Sequence, residues 1–387
     1  MAPRHSWKDR PVDYGEGALQ RLPQRVAKAG WRRLLLVCGR RSFEASGAAT
    51  VLPALERVAQ VHRWSDFAPN TDSADLARGL EILRDVKADA VLAIGGGSAM
   101  DMAKLLCAYQ DVFDADALRA AIRAGESVTR RRLGLHFVPT TSGSGSEATH
   151  FAVVYIGQEK FSVAGPALYA DSVTLDPGLT LSGSAYQRAT SGIDAVCQAI
   201  ESLWAKGGTN TSRRLARHAL RLLLAYIEPF VAEADPQAAK GMAIGSHLAG
   251  RAIDISKTTA AHALSYALTK GYGVSHGHAV ALTLGQFIRA HAEAKAEDLQ
   301  SGISERRHQE AMAAILKSLG ARDAAEARDR FTALLARLGL VSRLRDIGLT
   351  NAEARRSVAQ SVNVERLGNN PMVFTMAGLE AVLERAS

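Results

Sequence analysis

The densest potential chemistry in this 387-residue chain lies in its second half. In the stretch GIDAVCQAIES, Asp194 and Gln198 stand four residues apart, which puts both on one face of a helix. Downstream, His262 opens HALSYALT and His276 follows in SHGHAV. A carboxylate and two imidazoles can hold a divalent cation, and an amide oxygen can weakly complete the set. Taken singly, each histidine is more often a structural residue than a ligand. Just before His262, the run Ser256, Lys257, Thr258, Thr259 sets hydroxyls and an ammonium at a helix start. That combination suits an anionic headgroup, and it also suits an ordinary cap with a surface lysine.

The first half carries a different chemistry. A buried apolar strand, 88–94, runs directly into Gly95, Gly96, Gly97 and Ser98, and a helical pattern follows. Glycines at a strand-to-helix turn let the backbone approach a phosphate, and the helix start supplies unpaired N–H groups. The spacing is not the G-x-G-x-x-G fingerprint. Asp101 and Lys104, further along the helix, read as a cap and a surface pair. A second loop, Thr140, Thr141, Ser142, Gly143, Ser144, Gly145, Ser146, follows the strand Gly134–Pro139 and mixes hydroxyls with glycine into a polar cradle. Two such loops after parallel strands predict a nucleotide site. After the strand Arg33–Cys38 the chain reads Gly39, Arg40, Arg41, Ser42. The acid that would hold a ribose 2′-hydroxyl is missing there and two arginines stand in its place, which tilts the cofactor toward NADPH or dual use.

The elements that position these residues fall into two sets. Up to about residue 180, apolar runs (33–38, 61–64, 88–94, 134–139, with a further apolar segment at 148–155) alternate with helical patterns at 48–58 and 74–85. That alternation predicts a parallel sheet with helices on both faces. Beyond Leu181 helical periodicity dominates, over 185–204, 212–232, 237–252, 258–270, 278–295, 305–319 and 323–338. The turn-rich segment 176–184 is the expected seam. Fold class is therefore an α/β N-terminal dinucleotide-binding domain, residues 1–180, plus an all-α C-terminal domain, residues 181–387.

Composition narrows the class. Hydrophobic residues make up 47% of the chain and charged ones 22%, enough for large cores and unlike a disordered or fibrous chain. The net charge of +8 is spread over amphipathic helices, as in Arg213, Arg214, Arg217 and Arg221, without interleaved aromatics. It reads as a solvated surface that favours small anions rather than a nucleic-acid interface. No apolar run has the length of a membrane span, and the polar N-terminal stretch with Arg4, Lys8 and Arg10 does not read as a secretory signal. Three scattered cysteines, Cys38, Cys107 and Cys197, fit neither a disulfide framework nor a zinc knuckle and predict buried thiols in a cytoplasmic protein.

Taken in order, GGGSAMDMAK, PTTSGSGSEAT, GIDAVCQAIES and HALSY with SHGHAVAL resemble the iron-containing (group III metal-dependent) alcohol dehydrogenase family, over roughly residues 14–383. The resemblance implies a metal-assisted, NADH- or NADPH-dependent reduction of a small aldehyde to a primary alcohol. Carried over by motif, it places Gly95, Gly96, Gly97, Ser98 and Asp101 at the cofactor's phosphates, and Thr140, Thr141 and Ser144 at its remaining phosphate and ribose groups. Gly39, Arg40 and Arg41 lie at the end of a neighbouring strand, and Asn70, in FAPNT, resembles the family's PNPT segment near the cofactor. Asp194, Gln198, His262 and His276 take the four ligand positions for iron(II) or zinc. The family commonly dimerises, so a homodimer is the implied state. Two positions depart from the family, which usually has histidine where this chain has Gln198 and often where it has Tyr266. Tyr266 is the implied proton relay, beside His276, and Lys257 the implied headgroup contact. The segment 256–262, with CQAIES and HGHAVAL, is similar to the phosphonoacetaldehyde reductase branch, which forms 2-hydroxyethylphosphonate. Sulfoacetaldehyde reduction and general short-chain alcohol or diol oxidation are the alternatives, and an inactive nucleotide-binding paralogue is the alternative of another class.

Overall fold

The structure, a computed structural model, describes residues 10–157 and 159–387. The chain divides into two compact units, one ending at Gly183 and one spanning Ser184–Ser387.

In the first unit the strands are β1 (Val12–Tyr14), β2 (Arg33–Cys38), β3 (Gln60–Trp64), β4 (Ala90–Gly95), β5 (Gly134–Pro139), β6 (Phe151–Ile156), β7 (Glu159–Ala164) and β8 (Ser172–Leu175). The helices are α1 (Leu22–Ala29), α2 (Ser42–Ala45), α3 (Leu52–Glu56), α4 (Ser73–Asp85), α5 (Gly97–Ala108) and α6 (Ala115–Ala124). Six strands form one parallel sheet in the order β1-β8-β5-β4-β2-β3. The expected parallel sheet is borne out, and the reason is visible in its side chains. Leu35, Val37, Val91, Ala93, Leu135 and Phe137 pack into one apolar cluster, while Leu34, Leu36, Cys38, Leu92, Ile94 and Val138 pack into another. With both faces covered, successive strand residues are all apolar and no alternation survives.

Two local expectations differ. The run 48–58 is a short 3-10 turn followed by α3, because Pro53 lacks an N–H and starts a helix anew. The apolar segment 148–155 lies outside the parallel sheet: Ala148 ends a 3-10 turn, and Phe151–Ile156 is β6 of a separate two-stranded antiparallel sheet with β7, whose sequence EKFSVA is too polar to read as a buried strand.

The carboxyl ends of β2 and β4 lie side by side, with Cys38 opposite Ile94. From here the chain leaves toward β3 on one side and toward β5 on the other, which makes this the crevice where doubly wound sheets bind ligands. Among the described residues, no helix is long and apolar enough to cross a membrane. Cys38, Cys107 and Cys197 are buried thiols, and burial pushes Cys107 up to about 12.

The second unit is helical: α7 (Ala185–Trp204), α8 (Asn210–Glu233), α9 (Pro236–Ser256), α10 (Ala260–Tyr272), α11 (His276–Glu293), α12 (Glu305–Leu319), α13 (Ala324–Arg337), α14 (Ala352–Gln360), α15 (Val364–Gly368) and α16 (Met376–Arg385). Helix α7 starts from a reciprocal cap, with Ser184 and Gln187 each bonding the other's backbone N–H. From Ala189 onward α7 is buried almost all round, so its polar residues are held inside the unit.

Lys104 overturns the surface-pair reading. It is fully buried, and Nζ donates to Ser146 O at 2.7 Å, Phe151 O at 2.8 Å, and the Ser146 and Thr149 hydroxyls at 2.9 Å. Asp101 Oδ1 lies 3.9 Å away. A helix pattern places lysine outward by default, and here tertiary contacts prevail. Replacing Lys104 with methionine strands these acceptors in a dry interior. The expected loss is about 2–4 kcal/mol of stability in denaturant titrations, and weaker nucleotide binding should accompany it. Wild-type stability in Lys104→Met would refute this role.

Candidate metal centre and nucleotide loops

In the helical unit, Asp194, Gln198 and Glu201 sit on α7 at positions i, i+4 and i+7, one face over two turns. His262 comes from the first turn of α10, and His276 is the first residue of α11. Helix α11 can start this close to α7 because residue 277 is glycine: a Cβ there would fall 2.6 Å from Asp194 Cβ. One ligand atom from each of Asp194, His262 and His276 lies within 4.8 Å of the others.

The fit to a cation is tested by what these atoms lack. Asp194 Oδ1 and His262 Nε2 are 3.4 Å apart, both buried, and neither has a hydrogen-bond partner. Buried polar atoms rarely stay unsatisfied, so a facing acceptor pair marks a place for something cationic. Gln198 Nε2 donates to Asp194 Oδ2 at 3.1 Å, which steadies the carboxylate, and its amide oxygen is the atom with which it would reach a cation. The chemistry of the set, hard oxygen with two imidazoles, suits a divalent first-row metal.

Sequence reasoning missed Glu201. Its carboxylate is fully buried and accepts from Thr259 Oγ1 at 2.8 Å, Ala261 N at 3.0 Å and, in a very short contact, His262 Nδ1. Trp204 Nε1 in turn donates to Thr259 Oγ1 at 2.9 Å. Holding the proton on Nδ1 fixes the tautomer and turns Nε2 toward Asp194. The signal was available, since Glu201 follows Asp194 by seven residues on the same helix face.

With no cation between them, the two carboxylates favour a proton on the imidazole, a positive charge that a bound metal would replace. Burial alone would lower the His262 pKa, but the Glu201 and Asp194 carboxylates outweigh it and raise it. Burial works against ionising Asp194 and Glu201, yet the His262 contacts hold both carboxyls below the usual range. Tyr266 is pushed up by burial, so its hydroxyl keeps its proton. Its ring lies parallel to that of His276, with centroids 5.9 Å apart, and Ser265 Oγ is 3.3 Å from His276 Nδ1. His278 is structural: Nε2 donates to Val341 O at 2.8 Å. Lys257 follows α9 as its C-cap, with Nζ 2.8 Å from Glu365 Oε1 and its side chain half exposed. The structure therefore does not put its ammonium among the ligand atoms, and α10 begins only at Ala260.

In the α/β unit the loops after β4 and β5 meet. A Cβ on Gly97 would fall 2.9 Å from Ser144 Oγ, and one on Gly96 would fall 3.5 Å from Thr141. Thr140 N donates to Gly95 O at 2.9 Å, and Asn70, in the left-handed region at φ 63°, donates its N–H to Ser98 Oγ at 3.2 Å. Asp101 is the tie between segments, accepting from Ser146 Oγ at 2.6 Å and Val153 N at 3.0 Å. Ser142 Oγ, in a residue only 2% exposed, has no partner among the described residues. Helix α5 starts without a side-chain cap, which leaves its N–H groups for an anion. The cradle thus fits a nucleotide's phosphates. At the end of β2, Gly39 borders Gly95, and Arg40 and Arg41 are exposed. Arg40 is paired with Asp66 from beyond β3, an acid that β2 read alone does not reveal.

These two sites, with this fold, define a class. The chain belongs to the iron-containing alcohol dehydrogenase family: the family pattern matches residues 11–177, and its C-terminal pattern matches residues 188–387. Phosphonoacetaldehyde reductase of Streptomyces viridochromogenes is 37% identical over 215 residues, 54% of this chain and 54% of that protein, so the match spans about half that relative's length. Long-chain-alcohol dehydrogenase 1 of Geobacillus thermodenitrificans is 33% identical over 70% of this chain and 69% of its own. Sulfoacetaldehyde reductase from Bifidobacterium kashiwanohense, solved in complex with NAD+, superposes with a TM-score of 0.86 at 26% identity, over 100% of this chain and 97% of that one.

Glu201→Gln keeps the shape but weakens the hold on His262 Nδ1. Metal affinity is expected to fall about 10–100-fold, measured by competition with a chromogenic chelator. An unchanged affinity would show that the carboxylate does not act through the imidazole.

Proposed function

We propose that the chain reduces phosphonoacetaldehyde to 2-hydroxyethylphosphonate, with NADH or NADPH as hydride donor and a divalent cation held by Asp194, Gln198, His262 and His276. The unpartnered pair Asp194 Oδ1 and His262 Nε2 carries the metal part of this reading. The substrate part is supported by the relatives, one named a phosphonoacetaldehyde reductase and one a sulfoacetaldehyde reductase. Both substrates are small aldehydes with an anionic headgroup, and the sulfonate is the second reading.

The cation, when bound, acts as a Lewis acid that polarises the carbonyl and stabilises charge as it grows on oxygen. The hydride from the reduced nicotinamide goes to the carbonyl carbon, the oxygen takes one proton, and the oxidised cofactor and a primary alcohol leave. Gly95, Gly96, Gly97, Ser98, Thr140, Thr141 and Ser144 hold the cofactor's phosphates and ribose. Tyr266, whose hydroxyl keeps its proton because burial raises its pKa, serves as the proton donor to the product oxygen in this reading. Asp66 beside Arg40 offsets the pull of the arginines on a 2′-phosphate, and the NAD+ complex of the sulfoacetaldehyde reductase supports NADH as a working cofactor. Gln198, a neutral oxygen donor where imidazole is usual, moves the metal preference from zinc toward iron(II).

Removing the metal with a chelator is expected to cut kcat/KM for phosphonoacetaldehyde by at least about 100-fold, with recovery on adding iron(II). Full activity in the stripped enzyme would remove the cation from the reaction. Gln198→His is expected to slow metal loss on dialysis, with zinc retained better than in the wild type. Retention equal to the wild type would mean that position 198 is not a ligand.

A further inference from the structure

We propose that Trp204 is a positioning residue of the metal centre, acting through Thr259 and Glu201 on the imidazole of His262, and that His291 holds it in place. This rests on the reading of Asp194, Gln198, His262 and His276 as a cation site. It extends that site beyond the groups that touch its ligands.

Trp204 is the last residue of α7, and Thr259 is the N-cap of α10. An indole N–H can only donate, so Trp204 Nε1 gives its proton to Thr259 Oγ1 at 2.9 Å. The threonine hydroxyl then turns its own proton to Glu201 Oε1 at 2.8 Å. The other carboxylate oxygen, Oε2, meets His262 Nδ1. Trp204, Thr259 and Glu201 are all buried, so no water stands ready to replace a lost partner. A buried indole N–H needs some acceptor wherever it lies. Here the acceptor passes a hydrogen bond to the carboxylate behind a ligand, and that links packing to the metal.

The indole is held by a stack. Its ring lies 4.2 Å from that of His291, on α11, with 10° between the planes. His291 is itself fixed at both nitrogens. Asn370 Nδ2 donates to Met372 O at 3.0 Å, which sets the amide and leaves Asn370 Oδ1 to accept from His291 Nε2 at 3.1 Å. Burial keeps the His291 ring neutral by pushing its pKa down to about 3. Its one proton is therefore on Nε2, and Nδ1 accepts from His308 Nε2, on α12, at 3.0 Å. Helices α7, α10, α11 and α12 are thus tied, through one indole, to the imidazole of His262. The tie is partial, because Ala261 N also donates to Glu201 Oε1, at 3.0 Å. The effect of Trp204 must then be smaller than that of Glu201.

The test is a double-mutant cycle on the affinity of the full chain for iron(II), read anaerobically by competition with a chromogenic chelator. Trp204→Phe keeps a ring against His291 and loses the N–H. It should weaken iron(II) about 3- to 10-fold, less than a group bonded directly to a ligand commands. In Glu201→Gln the path is already broken, so adding Trp204→Phe there should weaken the ion by less than about 2-fold more. Thr259→Val should lose at least as much as Trp204→Phe, and Thr259→Ser, which keeps the hydroxyl, should bind as the wild type does. An equal loss from Trp204→Phe with and without Glu201→Gln would make the indole a packing residue and overturn the proposal. Wild-type affinity in Trp204→Phe would overturn it too. If Trp204→Phe does not fold by circular dichroism, the indole N–H resonance of Trp204 decides, in protein labelled at tryptophan. It should move when zinc is added to the wild type and stay still in Thr259→Val, and a resonance that ignores zinc in the wild type sinks the idea. A wild type that takes up neither iron(II) nor zinc overturns the metal reading and this proposal with it. Unaltered binding in the variants alone leaves the metal reading standing.

Discussion

A carboxylate and an imidazole facing each other inside a helical bundle, with no hydrogen bond between them, cannot be left as they stand without cost. Desolvating such groups costs several kcal/mol each unless a counter-charge or donor meets them. Asp194 Oδ1 and His262 Nε2 are held in that position by other groups: Gln198 on the far oxygen of Asp194, and Glu201 on the far nitrogen of His262. Glu201 in turn is fixed by the first turn of α10 and by Thr259. The unit therefore builds outward from one point of concentrated acceptor character. Gly277, Ser265 and Tyr266 then settle where His276 stands relative to it.

The α/β unit solves a parallel problem with opposite charge. Its loops must present bare N–H and hydroxyl groups to phosphates, which means they cannot satisfy one another completely. Rigidity comes from beneath: Lys104, buried, binds the loop around Ser146 and the start of β6, and Asp101 ties the same loop to α5. A buried cation with so many oxygen partners holds the cradle open without occupying it. Neither residue has to touch the nucleotide to matter to it.

Much of this was legible in the sequence because apolar runs on a two-faced sheet leave no ambiguity about burial. Strands β2 and β5 and helix α7 coincide with their patterns, β4 begins two residues later than its apolar run, and the glycine and hydroxyl loops were placed by the strands that precede them. What the pattern hid was residues whose environment is made by distant segments. Lys104 reads as a surface lysine because helical spacing alone says nothing of the loop that closes over it. Arg366 is buried in a five-residue helix, Val364–Gly368, a run too short to show periodicity. Glu201 was within reach, had the helix-face argument been extended by one more turn. Gln60–Trp64 shows only weak alternation, as an edge strand does, and EKFSVA in β7 none that marks a strand.

The account stands on a cation bound by the α7, α10 and α11 side chains. The direct measurement is X-ray absorption at the metal edge on protein purified from iron-supplemented cells. The account predicts one divalent ion per chain in an oxygen- and nitrogen-coordinated shell, with the outer-shell scattering of two imidazoles, and loss of that scattering from one ring in His276→Ala. A spectrum with no histidine in the coordination shell, or a protein that carries no ion while remaining fully active, would contradict it.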